Sequence, residues 1–128
     1  MNFFKNILGN TPESQSVSKM EWRPITDLGQ LNEIITVSND KPVLIFKHST
    51  RCIISKSALK QFENEFDCHD KVVPYFLDLL EHRNISNEIS NRFDVVHQSP
   101  QLILIKEGKA VYNASHESID ATKLEQFV

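Results

Sequence analysis

The chain has 128 residues, 40% of them hydrophobic and 24% charged, with a formal net charge of -3 and two cysteines. That length suits one domain able to bury roughly two-thirds of its unfolded surface, and Cys52 and Cys68 stand in contexts too unlike to form a disulfide framework, which points to a reducing compartment, the cytoplasm. The acidic balance and the lack of a basic stripe exclude nucleic acid as an expected partner, since that binding depends on neutralising phosphates.

The N-terminal stretch "MNFFKNILGN" carries Phe3, Phe4, Ile7 and Leu8, but Lys5 and Asn6 interrupt it, so it has no secretion h-region. It reads as a frayed start, with a short amphipathic turn as the alternative. The polar, Ser-rich "NTPESQSVSK" extends it into a flexible tail over residues 1–19, leaving a domain at 20–128. No window reaches the 18 apolar residues of a membrane span.

From Met20 the elements alternate. "EWRPI" suits a short strand, and Thr26 or Asp27 can cap a helix whose Leu28, Leu31, Ile34 and Ile35 share a face. "PVLIFK" is an apolar run of strand length, the pattern of a central strand covered on both faces. After Cys52, the residues Ile54, Ala58, Phe62 and Phe66 recur every four positions and stripe a helix running to about Phe66. "VVPYFLDL" is a further strand, with Pro74 near its start or on an edge. A third helix follows, capped near Asn84 or Ser86, with Ile85, Ile89 and Phe93 on one face. "PQLILIKEGKAVYNA" is a hairpin turning at "KEGK", and Glu117 to Phe127 supplies Ile119, Leu124 and Phe127 to a last buried face. The order β-α-β-α-β-α-β-β-α predicts an α/β domain with a mixed sheet flanked by helices on both faces. It is the element order of a thioredoxin-like fold.

Three segments carry candidate chemistry. Cys52 opens a helix, where unsatisfied N–H groups and the positive end of the helix dipole favour thiolate over thiol. Thiolate is the attacking species in disulfide exchange, so Cys52 is the candidate nucleophile; Arg51 and Lys56 add positive charge, and Ser55 can turn its O–H toward the sulfur. In "HQSPQ", Pro100 precedes the terminal hairpin, where a thioredoxin-like fold places a cis-proline against the active cysteine. A cis bond would free the N–H and C=O of Ser99 to pair with an extended substrate. His48, four residues before Cys52, and His97, three before Pro100, can polarise the sulfur or shuttle a proton. Cys52 with both histidines also makes a conceivable zinc or copper set, but no second cysteine ligand or paired motif accompanies it, so no metal is expected. His69, His82 and His116 read as surface histidines.

The run "FKHSTRCIIS", with "HQSPQ" about fifty residues on, resembles the bacillithiol system redox-active protein YtxJ family, also called monothiol bacilliredoxin, from about Trp22 to the C-terminus. The family's usual Thr-Cys-Pro-Ile-Ser reads Arg51-Cys52-Ile53-Ile54-Ser55: Cys52 and Ser55 match, while Arg51 and Ile53 replace threonine and proline. The resemblance implies removal of a low-molecular-weight thiol, bacillithiol, from protein mixed disulfides through Cys52. It implies no resident cofactor, the small thiol being a co-substrate, and a reductase or second redoxin as partner. With serine at position 55 there is no neighbouring resolving thiol, and Cys68 would stand about 24 Å from Cys52 by helical rise. Two other readings stay open: a non-catalytic thioredoxin-like module that holds an extended peptide at Pro100, and an iron-sulfur carrier, against which Ile53 counts because that motif has glycine there.

Overall fold

The computed structural model describes residues 20–128, and the expected tail with its Phe3–Leu8 turn lies outside them. Five strands form one sheet: β1 Arg23–Pro24, β2 Val43–His48, β3 Val73–Asp78, β4 Gln101–Lys106 and β5 Lys109–Ser115. The helices are α1 Gln30–Val37, α2 Ile53–Glu65, α3 Arg83–Phe93 and the single turn α4 Ala121–Leu124. The sheet order is β1-β3-β2-β4-β5; β1, β3 and β2 are parallel, while β4 and β5 are antiparallel to their neighbours.

β2 is central and buried along its whole length, as its apolar run requires. Strand side chains alternate between faces. Val43 and Ile45 pack with Leu31 and Ile34 of α1 and Ile85, Ile89 and Phe93 of α3. Leu44 and Phe46 pack on the other face with Phe62 and Phe66 from α2 and its end, and with Leu124 of α4. The last two residues of β2 obey the same alternation, so Lys47 is directed to the α3 face and His48 to the α2 face. Pro74 is the second residue of β3, beyond the two-residue reach of β1, so its missing N–H breaks no ladder. Glu107 and Gly108, both at positive φ (51° and 77°), make the two-residue hairpin turn between β4 and β5.

Several local expectations are corrected. The cap of α1 is Gly29. Thr26 and Asp27 do not cap it; their backbone N–H groups instead donate to Gln30 Oε1 at 2.7 and 3.0 Å. Leu28 therefore falls in the preceding turn, 42% exposed. Ile54 is 61% exposed, because the first turn of α2 stands beyond the strand end with no sheet beneath it. His82, whose C=O accepts from Ile85 and Ser86 N–H, begins α3, so Ser86 lies buried inside the helix and caps nothing. Phe127 is partly exposed against Tyr112, with ring centroids 5.0 Å apart.

Candidate active site

The end of β2 turns through residues 49–51 into α2. Cys52 caps that helix with extended backbone (φ -106°, ψ 122°), its N–H bonded to Ser49 O and its C=O accepting from Lys56 N. Its side chain is half-buried and unpaired in any disulfide. Ser55, in the first turn, is fully buried: its Oγ accepts from Ser49 N–H at 3.0 Å and lies 2.8 Å from His48 Nδ1. One hydroxyl thus ties the strand end, the loop and the helix start together. Burial pushes His48 below its ordinary range, Asp78 opposing and Lys56 reinforcing the shift, so the ring is neutral near neutral pH. Ser55 Oγ has His48 and Ser49 as its hydrogen-bond partners, and among the described residues it makes none to the Cys52 sulfur.

On the opposite face, Lys47 is also fully buried. Its Nζ lies 3.1 Å from His97 Nδ1, 3.4 Å from Ser90 Oγ and 3.5 Å from Ser86 O. Desolvation lowers its pKa from 10.5 to about 8. Burial, then Lys47 and Arg83, push exposed His97 downward as well. His48 and His97 are therefore engaged on opposite faces, and among the described residues no three His, Cys, Asp or Glu side chains are grouped to hold a metal.

The Ser99–Pro100 bond is cis. In the β2–β4 register Lys47 faces Gln101, which sets Pro100 level with His48 at the sheet end from which the Cys52 loop departs. Pro100 is buried, and the N–H and C=O of Ser99 have no backbone partner among the described residues. Ser99 Oγ is buried without a partner too. Buried Gln101 holds the preceding loop, donating to Val96 O at 2.9 Å and accepting from Gln98 N–H at 3.4 Å. Arg51 is exposed in the turn before Cys52.

Beside Cys52, Ile53 is 78% exposed and, with Ile54, Ala58, Gln61, His116 and Ile119, lines an open groove of about 520 Å³. A larger groove, about 850 Å³, lies at the other end of the sheet among Lys41, Lys106 and Phe127 and is lined by no cysteine. The sequence reading missed Lys47, Ser86, Ser90 and Gln101. The signal for Lys47 was present: a charged residue inside a run read as a strand buried on both faces.

Residues 23–124 match the family model of monothiol bacilliredoxin BrxC. Among solved structures, the chain is similar to a protein described as a candidate oxidoreductase with a thioredoxin fold, at 31% identity and TM-score 0.69, covering 80% of this chain and 89% of that one. It is also similar to Malassezia sympodialis thioredoxin (23% identity, TM-score 0.66, covering 87% and 90%) and to Fasciola hepatica thioredoxin (18%, TM-score 0.61, covering 82% and 94%). At those lower identities the likeness establishes the fold alone.

Proposed function

The chain belongs to the monothiol bacilliredoxin family, thiol oxidoreductases with a thioredoxin fold, and we propose that it removes a low-molecular-weight thiol, bacillithiol, from protein mixed disulfides. The observation that carries this reading is a half-buried cysteine at a helix start whose fourth position holds a buried, hydrogen-bonded serine. Cys52 stands at the N-terminal end of α2, where a helix presents unsatisfied N–H groups. The Cys52 thiolate attacks the small-thiol sulfur of the mixed disulfide. A Cys52–small-thiol bond forms, the original S–S bond breaks, and the target protein departs as a thiolate that takes a proton from solvent. A second low-molecular-weight thiolate, or a partner reductase, then attacks the Cys52 adduct; with a small thiol the products are free Cys52 thiolate and a small-thiol disulfide, so each exchange conserves electrons.

Ser99 and Pro100 form the docking edge for the extended target segment, because the free N–H and C=O of Ser99 suit strand-like pairing. His48, through Ser55, keeps the floor of the site polar and hydrogen-bonded, and Arg51 adds positive charge at the rim. The test is intact-mass and peptide mapping after challenge with a protein–bacillithiol mixed disulfide. The expected result is the small-thiol adduct on Cys52 with release of reduced target, and neither in Cys52→Ser. Tight binding of the target with no adduct would support the rival peptide-holding module instead.

A further inference from the structure

Ile53 and Ile54 leave 78% and 61% of their surface exposed on the first turn of α2. With Ala58 and Ile119 they form the apolar part of the groove of about 520 Å³ beside Cys52, and Glu117 is the one carboxylate among its lining residues. Contiguous apolar residues rimmed by polar ones are the pattern of a contact surface. The described chain begins on the same side of the sheet. Met20 is buried in the cluster of Phe46, Phe62 and Leu124, and Ala58 and Ile119, which line the groove, pack against that same cluster. The chain before Met20 therefore joins the domain on the α2 face, the face that carries the groove.

The apolar group in residues 1–19 is Phe3, Phe4, Ile7 and Leu8, and Lys5 is the one charge in "MNFFKNILGN". Residues 9–19, when extended, reach roughly 36 Å. The path they must cover is shorter. Helix α2 has 13 residues, about 20 Å of axis, and the five-stranded sheet is about 19 Å across its outer strands, which makes a diagonal of roughly 28 Å. The larger groove at the other end of the sheet suits an apolar segment less well, since Asp40, Lys41, Lys106, Glu107 and Lys109 line it.

We propose that residues 3–8 of the same chain dock in the groove beside Cys52, with the Phe3 and Phe4 rings against Ile53, Ile54 and Ile119 and Lys5 toward Glu117. A partner approaching Cys52 across α2 must then displace them. The tether favours this occupant over a second copy or a free peptide: a segment linked through residues 9–19 acts at an effective concentration on the order of millimolar, far above that of micromolar chains in solution. The inference goes beyond the chemistry assigned to Cys52 and does not depend on it.

The test uses the full chain with labelled isoleucine methyl groups. In wild type, the Ile53, Ile54 and Ile119 methyls show nuclear Overhauser contacts to the Phe3 and Phe4 rings, and the double variant Phe3→Ser/Phe4→Ser loses them. The second readout is the rate at which an aromatic disulfide, dithiobis-nitrobenzoate, modifies Cys52, followed by peptide mapping so that Cys68 is counted separately. That rate rises roughly fivefold in the double variant, as for a segment docked about four-fifths of the time. Ile54→Ser, which weakens the groove and leaves residues 1–19 unchanged, raises it too. When labelled and unlabelled chains are mixed, the contacts stay within one chain. Contacts between chains would make a second copy the occupant and overturn the proposal, as would the absence of any contact in wild type or a Cys52 rate unchanged in both variants.

Discussion

Lys47 and Ser55 are buried polar residues placed one on each face of β2's end, and each makes a measurable demand on stability. The folded chain releases the Lys47 proton near pH 8, whereas an unfolded lysine holds it to about 10.5. Between those values the unfolded state binds more protons, so stability rises with pH, by at most about 1.4 kcal/mol per pH unit. Urea unfolding across that window is expected to show this rise in wild type and its loss in Lys47→Met; equal slopes would assign the proton elsewhere. Ser55→Ala strips the partner from buried His48 Nδ1 and from Ser49 N–H, and is expected to cost about 1–3 kcal/mol. Exposed Ser57→Ala, in the same helix, should stay within about 0.5 kcal/mol. The placement of Cys52 and Ser55 at a helix start was legible because helix-start signals are local. The destination of Lys47 was not: a lysine at a strand end can equally run its stem along the surface, and its partners Ser86, Ser90 and His97 lie about forty to fifty residues away.

Helix α2 connects Cys52 to the core, and its two ends answer to different forces. Phe62 is buried, with its ring 6.3 Å from Phe46 and 5.0 Å from Phe66. Phe62→Ala should therefore cost about 3–5 kcal/mol, whereas Ile54→Ala, on the same four-residue stripe but exposed, should change denaturant stability by less than about 0.5 kcal/mol. Periodicity alone gave these two residues one face; which part of the stripe overlies the sheet depends on where the preceding strand ends. At the helix start, Ile53 occupies the first helical position and Cys52 already has the extended backbone that a following proline requires. Ile53→Pro is expected to be accommodated and to stabilise by about 0.4–1 kcal/mol through the unfolded chain. A lowered midpoint in thermal unfolding would show that the loop depends on the Ile53 N–H or side chain.

Across the whole molecule, the alternation of apolar strand runs with helical stripes specified parallel β1, β2 and β3 and the antiparallel hairpin. The lateral order β1-β3-β2-β4-β5 is set by long-range pairing, on which local pattern carries little information. That order brings Pro100 level with His48 and leaves Cys68 past the far end of α2, packed against the aliphatic and aromatic cluster beneath it. Cys68→Ala is accordingly expected to keep turnover of a small-thiol mixed disulfide, and its loss in a folded variant would contradict a single-thiol mechanism. The central claim is that Cys52 works alone because serine, not cysteine, fills position 55. Ser55→Cys, intact mass and thiol titration after challenge with a mixed disulfide test it most directly. Residues three apart in a first helical turn are neighbours, and an internal thiol acts at an effective concentration far above that of free thiols in solution. Wild type should keep the small thiol on Cys52 until a second thiol is added, while Ser55→Cys should expel it and finish with an internal disulfide between Cys52 and the introduced thiol. A variant that retains a stable adduct, or a wild type that sheds it unaided, would contradict the account.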